Sequence, residues 1–115
     1  MKGRQGDIQR LQHILQAISS IQEFIADISY EDYQKDFKLR LAVVKLLEIT
    51  GEAANHISEE LKSEYPDVEW QLLRGMRNVF VHEYFGIDYQ IVWKSIQERL
   101  PLLKEKVQNI IKKGV

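Results

Sequence analysis

The sequence predicts an all-α fold, an up-and-down bundle of four to five helices. Apolar residues recur at steps of three and four along most of the chain, which is the spacing of one face of an α-helix. No segment has the strict alternation of a β-strand, and no repeat or low-complexity stretch interrupts the pattern. The 115 residues, of which 44% are hydrophobic and 29% charged, therefore fit one domain spanning 1–115 around a single core.

The first predicted helix begins at Asp7, a candidate N-cap, and continues until the polar segment 29–32 breaks its pattern. One apolar face extends along its whole length. The residues of that face are Ile8, Leu11, Ile14, Leu15, Ile18, Ile21, Ile25 and Ile28.

A second helix is predicted from about Tyr33 or Phe37 to Leu61. It contains the small-residue segment 51–54 (GEAA), which gives up helix propensity and side-chain volume together and so predicts that another helix packs closely there. Glu52 and His56 are i, i+4 neighbours, and we expect their pairing to stabilise this helix. The alternative is that Glu52 orients Arg77.

Three further helices follow. The third is predicted from Pro66-Asp67 to Gly86, a residue typical of helix ends, and Gly75 within it is expected to permit close helix packing. Asp88 is the candidate N-cap of a fourth helix over 89–100. Pro101 then kinks that helix or begins a fifth, which ends at Lys113.

Composition excludes several classes of function. The chain has no cysteine, so disulfides, thiolate metal sites and a cysteine nucleophile are excluded, and we expect a protein of the reducing cytoplasm. Three histidines in no metal-ligand pattern predict that the protein holds no metal or other cofactor. No apolar run approaches the roughly 20 residues that cross a bilayer, so no membrane association is expected. A net charge of -1 argues against nucleic-acid binding through bulk positive charge but permits a local site.

The third helix is apolar on two sides, which is typical of a helix buried on both. In so small a bundle the second burial most simply comes from another subunit, so the pattern predicts a homodimer packed through this helix. The expected core face consists of Leu72, Leu73, Met76, Val79 and Phe80, and Val81 and Phe85 lie opposite.

Polar residues share this helix. Asn78 and His82 are i, i+4 neighbours, whereas Arg77 and His82 are about 140° apart on an ideal helix. From spacing alone, His82 is a hydrogen-bonded interface histidine and Arg77 pairs with an acidic neighbour. Similarly, His13 is expected at the surface, and Trp70 and Trp93 in the core or an interface.

The segment 77–84, RNVFVHEY, fits the pattern R-x4-H-x-Y and resembles the signature of the HEPN superfamily, in its HepT-like branch. The resemblance covers about residues 7–112. The other matching segments are 47–54 (LEITGEAA), 70–76 (WQLLRGM), 84–88 (YFGID), 91–93 (IVW) and 100–102 (LPL).

The resemblance implies a HEPN-type helical bundle that acts as a metal-independent endoribonuclease toxin and works as a homodimer with two motifs at one cleft. By position, Arg77 and His82 become the catalytic pair, Asn78 an auxiliary polar residue, and Tyr84 both an active-site residue and the site of adenylylation. The partner that adenylylates it is a minimal nucleotidyltransferase antitoxin, and the substrate is RNA, such as tRNA or mRNA. Arg74 is a possible RNA contact.

Two other functions stay open at this point. The chain could be a non-catalytic helical module that binds the nucleotidyltransferase, or a bundle that binds a small ligand.

Overall fold

The computed structural model describes the backbone of residues 3–82 and 86–114, and the side chains of 6–75, 77 and 86–114. This part of the chain forms helices and no strand, so the predicted all-α class is confirmed. The helices are α1 (Gly3–Ile25), α2 (Tyr30–Lys35), α3 (Phe37–Asn55), α4 (Glu59–Glu64), α5 (Trp70–His82), α6 (Tyr89–Glu98) and α7 (Leu100–Lys112).

The α3 helix lies at the centre of the bundle and packs mainly against α1 and α5, while α7 packs against α1 and α6. The apolar face predicted for the first helix is confirmed, since its central residues are fully buried. Each such side chain contributes about 1.5–3 kcal/mol through burial. These residues are Leu11, Ile14, Ile18 and Ile21.

The predicted N-cap role of Asp7 is wrong. The first helix begins at Gly3, and Asp7 is a buried residue within it. Its Oδ1 accepts a hydrogen bond from the Ser58 backbone N–H (2.8 Å), and its Oδ2 accepts one from the Ser58 hydroxyl (2.6 Å). Ser58 is itself the N-cap of α4, so Asp7 ties the first helix to the start of the fourth.

Of the two predicted starts of the second helix, Phe37 is confirmed and Tyr33 is wrong, and the predicted end at Leu61 is wrong because α3 ends at Asn55. The short helices α2 and α4 flank it, which is why the bundle has more helices than predicted. Asp36 ends α2 and caps α3, where its side chain accepts from the Leu39 N–H at 3.0 Å. His56 ends α3, and Ser58 then starts α4. Apolar residues continue at helical spacing through both breaks, so periodicity alone did not reveal them.

Gly51 confirms the predicted close packing of two helices. A Cβ atom on Gly51 would lie 2.7 Å from both the Arg77 Cβ and the Leu73 carbonyl oxygen of α5. The same expectation for Gly75 is wrong, because a Cβ there would meet none of the described atoms within 4 Å. The contact between α3 and α5 therefore depends on a glycine in α3.

The third predicted helix begins at Trp70 rather than at Pro66-Asp67. Its predicted end near Gly86 involves residues 83–85, outside the described residues. Leu73 is buried as predicted, with 5% exposed, but Leu72 is 39% exposed, so its assignment to the core is wrong. The remaining core-face residues Met76, Val79 and Phe80, and Val81 and Phe85 opposite them, have side chains outside the described residues.

The last two helices begin close to where the sequence predicts. Asp88 caps α6, accepting from the backbone N–H groups of Gln90 and Ile91, and Pro101 lies in the first turn of α7. Trp70 is a core residue whose indole N–H donates to the Tyr65 carbonyl at 2.9 Å.

Trp93 joins α6 to α2. Its ring centroid lies 4.7 Å from that of Tyr33, a fully buried residue whose hydroxyl donates to the Tyr89 carbonyl at 3.0 Å. Burial raises the pKa of the Tyr33 phenol above its ordinary value. No helix in the described part of the chain is long and apolar enough to cross a membrane.

Candidate active site

Arg77 occupies the face of α5 that packs against α3. Because Gly51 has no side chain, the two backbones approach closely, and the first carbons of the Arg77 side chain lie against α3. One third of the side chain is exposed (33%). Its Nε donates to Oε2 of Glu52, the residue next to this glycine in α3. The arginine is therefore held by packing at its base and by an ion pair at its head.

Glu52 contacts two cationic or titratable groups at once. While its Oε2 accepts from Arg77, its Oε1 lies 2.9 Å from Nε2 of His56, one turn further along α3. The hydrogen bond with His56 has the largest effect on the pKa of Glu52 and lowers it; burial, the next largest, raises it, and the hydrogen bond and charge of Arg77 lower it again, so the pKa lies below its ordinary value. The predicted Glu52–His56 pair is confirmed, and the alternative contact with Arg77 forms as well. Both depend on a carboxylate that stays ionised at neutral pH.

A groove of about 360 Å³ opens beside Arg77, between α1 and α3. His13 is exposed, as predicted, but it also lines this groove, a role that the sequence did not indicate. The polar residues of the wall are Arg10, His13, Lys45, Glu48, Glu52 and Arg77. A spacing of i, i+3 between Arg10 and His13 was the available signal, but nothing in the sequence places α1 beside α3.

The other predicted site residues are described only in part. Asn78 and His82 belong to α5 (Trp70–His82), but their side chains lie outside the described residues. His82 lies five positions after Arg77, about 7.5 Å along a helix axis. Tyr84 lies outside the described residues altogether. Arg74 is exposed on α5, one turn before Arg77.

A second, larger groove of about 610 Å³ lies between α5 and α6. Leu72 and Gly75 line one wall, and Ile91 lines the other. Ile91 is 62% exposed, and the nearby Leu102 of α7 is 58% exposed. Of these exposed apolar residues, Leu72 belongs to α5, the helix that the sequence predicted to pack against a second subunit, while Ile91 and Leu102 belong to α6 and α7.

Among the residues whose placement is described, no three His, Cys, Asp or Glu side chains come together as a metal site would require. The site therefore consists of an oriented arginine, an ionised glutamate and a groove with basic walls.

Comparison with known proteins decides the family. The model of the family described as "Ribonuclease HepT-like" matches residues 14–110. This chain belongs to the ribonuclease HepT-like family. The match includes α5 and α3, so Arg77, Gly51 and Glu52 lie within the family domain, whereas Arg10 and His13 of the groove precede the matched residues.

Relatives from several organisms agree with this assignment. A Thermococcus cleftensis protein named "Probable ribonuclease HepT" is 38% identical over 89% of this chain and 93% of its own length. A Methanocaldococcus jannaschii protein named "Putative RNase" is 38% identical over 87% of this chain and 92% of its own length. One of the same name from Caldanaerobacter subterraneus is 40% identical over 90% of this chain. Comparison with solved structures gives no significant match.

Proposed function

We propose that the protein is a metal-independent endoribonuclease and the toxin of a toxin–antitoxin pair. The observation that carries the proposal is Arg77, the first residue of the motif, fixed between α3 and α5 by Gly51 and Glu52 beside an open groove. The family and the names of its relatives agree with nuclease activity.

The proposed reaction is cleavage of RNA by its own 2′-hydroxyl. The 2′-oxygen loses its proton to a base and attacks the adjacent phosphorus, the bond from phosphorus to the 5′-oxygen breaks, and that oxygen takes a proton from an acid. The products are a 2′,3′-cyclic phosphate and a 5′-hydroxyl. His82 is the acid or base, since histidine titrates near neutral pH, and Arg77 stabilises the charge that builds on the phosphate oxygens.

A homodimer follows from this chemistry, because one chain supplies a single motif histidine and the reaction uses both an acid and a base. Two copies of α5 facing each other would supply two. Leu72 supports packing through this helix because it is exposed, although the sequence assigned it to the core face rather than to the face of Val81 and Phe85. Ile91 of α6 and Leu102 of α7 are exposed apolar residues as well. Sedimentation velocity at micromolar concentration is expected to give a dimer, and a monomer would contradict this arrangement.

We also propose that a minimal nucleotidyltransferase antitoxin silences the enzyme by adenylylating Tyr84. The phenol oxygen attacks the α-phosphorus of ATP, and pyrophosphate leaves. The added group is bulky and anionic two residues from His82, so it would block RNA sterically and repel its phosphates. Co-expression of the two proteins followed by intact-mass measurement is expected to show an added adenylyl group that is absent from Tyr84→Phe. An unmodified protein would contradict the mechanism.

Cleavage of RNA by the purified protein tests the central proposal. Wild type is expected to cut RNA in the presence of EDTA, and His82→Ala or Arg77→Ala to lose roughly 10²–10⁴-fold in rate. All three proteins are purified identically, so a contaminating nuclease would appear equally in each. Equal activity in wild type and His82→Ala would contradict the proposal, and absence of cleavage by wild type would favour the non-catalytic module that binds the nucleotidyltransferase.

A further inference from the structure

The groove between α1 and α3 contains basic side chains that the proposed chemistry does not use. Arg10 and His13 project from α1, and Lys45 projects from α3. These two helices are not consecutive in the sequence, and the packing of α1 against α3 brings the side chains together. Arg77 lines the same groove, so these side chains share one surface of a single subunit with the first residue of the motif.

The acidic residues of the groove are already paired. Glu48 lies 3.4 Å from the Lys45 ammonium, and Glu52 is shared by Arg77 and His56. In contrast, no carboxylate among the described residues is within ion-pair distance of Arg10 or of His13. With His13 neutral, the polar wall carries one net positive charge in a protein whose overall charge is -1. The groove therefore concentrates positive charge locally.

Its shape suits an extended polyanion better than a small ligand. Lys45 and Glu52 lie seven residues apart on α3, about 10 Å along the helix axis. Successive phosphates of one strand advance by about 3.4 Å along a stacked helix, so this length accommodates several of them. Arginine and lysine bind phosphate oxygens by hydrogen bonds and charge.

We infer that this groove binds the backbone phosphates of the RNA next to the bond that is cut, with Arg10 and Lys45 as its main phosphate ligands and His13 as a hydrogen-bond donor. The inference rests on the proposed ribonuclease function and extends it from the motif to a binding subsite on α1 and α3. It predicts that affinity for RNA depends on residues of α1, more than sixty positions away from the motif in sequence.

Binding of a short fluorescein-labelled single-stranded RNA tests the inference, in a His82→Ala background that removes cleavage from the measurement. Arg10→Gln and Lys45→Gln are each expected to weaken binding several-fold. Each is also expected to lower the slope of log Kd against log salt by about 0.7, the value for one lost phosphate contact on a single strand. Lys45→Arg keeps the charge and should retain the affinity.

Lys94→Gln is the matched control. It removes one positive charge from an exposed position on α6, where the side chain lines a separate depression with Gln90 and Glu98. Circular dichroism establishes that every variant is folded. The expected order of Kd is lowest for the His82→Ala parent and Lys94→Gln, higher for each groove variant, and highest for the double variant Arg10→Gln/Lys45→Gln.

The outcomes separate the two proposals. If the parent binds RNA and the groove variants match Lys94→Gln, the groove inference is overturned while the ribonuclease proposal stands. If neither the parent nor the wild type binds RNA, both proposals fall. Weaker binding by both groove variants with a reduced salt slope supports the groove.

Discussion

At the scale of single residues, the site centres on a carboxylate that serves two partners. Glu52 fixes Arg77 through one oxygen and contacts His56 through the other. An arginine fork must face the phosphate in one orientation to stabilise its charge, so the residue that fixes the fork affects the rate without touching the substrate. Glu52 is thus a positioning residue in the proposed reaction.

Glu52→Gln is expected to lower kcat about 10-fold, as a misplaced catalytic group does, with little change in KM or stability because the pair is partly exposed. The matched control is Glu48→Gln, one turn earlier on α3, where the carboxylate pairs with Lys45 instead. Its kcat should stay near wild type. Equal kcat in Glu52→Gln and wild type would show that Arg77 does not depend on Glu52 for its position.

The lowered pKa of Glu52 also predicts how the stability of the protein changes with pH. Because its pKa is lower in the folded protein than the ordinary 4.5, folding favours the ionised form. The stabilisation is complete above about pH 4.5 and is lost as the pH falls through the lower, folded-state pKa. Thermal unfolding followed from pH 7 to pH 3 should therefore show a smaller acid destabilisation in Glu52→Gln than in wild type, and identical pH profiles would contradict this.

At the scale of helices, the sequence predicted most helix positions and the buried face of the first helix, but it predicted the breaks between helices poorly. Asp88 and Pro101 begin helices as expected, since a side-chain cap and a proline act locally on the backbone. The interruption before Ser58 was missed, and the start after Asp36 was predicted only as one of two alternatives, because the apolar spacing continues through both. Asp7 was misassigned for a related reason: its partner is Ser58, far away in sequence, and only the packed structure brings the two together.

The contact between α3 and α5 depends on Gly51, and a pair of matched substitutions tests it. Gly51→Ala places a methyl group 2.7 Å from the Leu73 carbonyl, which cannot move independently of its helix, so the free energy of unfolding should fall by about 1–3 kcal/mol. Gly75→Ala meets no atom of the described residues within 4 Å and should raise the free energy of unfolding by roughly 0.5–1 kcal/mol through helix propensity.

Urea denaturation of the two glycine variants measures both effects. Gly51→Ala should also lower the cleavage rate, because the methyl group displaces the base of the Arg77 side chain. Equal stability changes in the two variants would contradict the close packing at Gly51.

At the scale of the whole molecule, near-neutral charge and local basic charge coexist. The net charge of -1 is summed over the whole chain, whereas one groove is lined by Arg10, Lys45 and Arg77. Sequence reasoning identified Arg77 through the motif resemblance but not the other two, since no local pattern places α1 beside α3. Which distant helices pack together is set by the tertiary structure and cannot be read from local patterns. Likewise, the sequence pattern of α5 does not identify the surface of a second subunit that would cover it.

The proposed dimer makes a prediction for the entire assembly. Leu72→Glu introduces a charge on the exposed apolar side of α5, and burying it against a second subunit would be costly, so the variant should sediment as a monomer. A monomer has one motif histidine, so its cleavage rate should fall by roughly 10²-fold or more, the loss of one acid or base. Phe24→Glu, a similar change at an exposed residue of α1, should remain dimeric and active. A dimeric Leu72→Glu would place the interface on another surface, whereas a monomer that cleaves RNA at the wild-type rate would show that one subunit holds the complete active site.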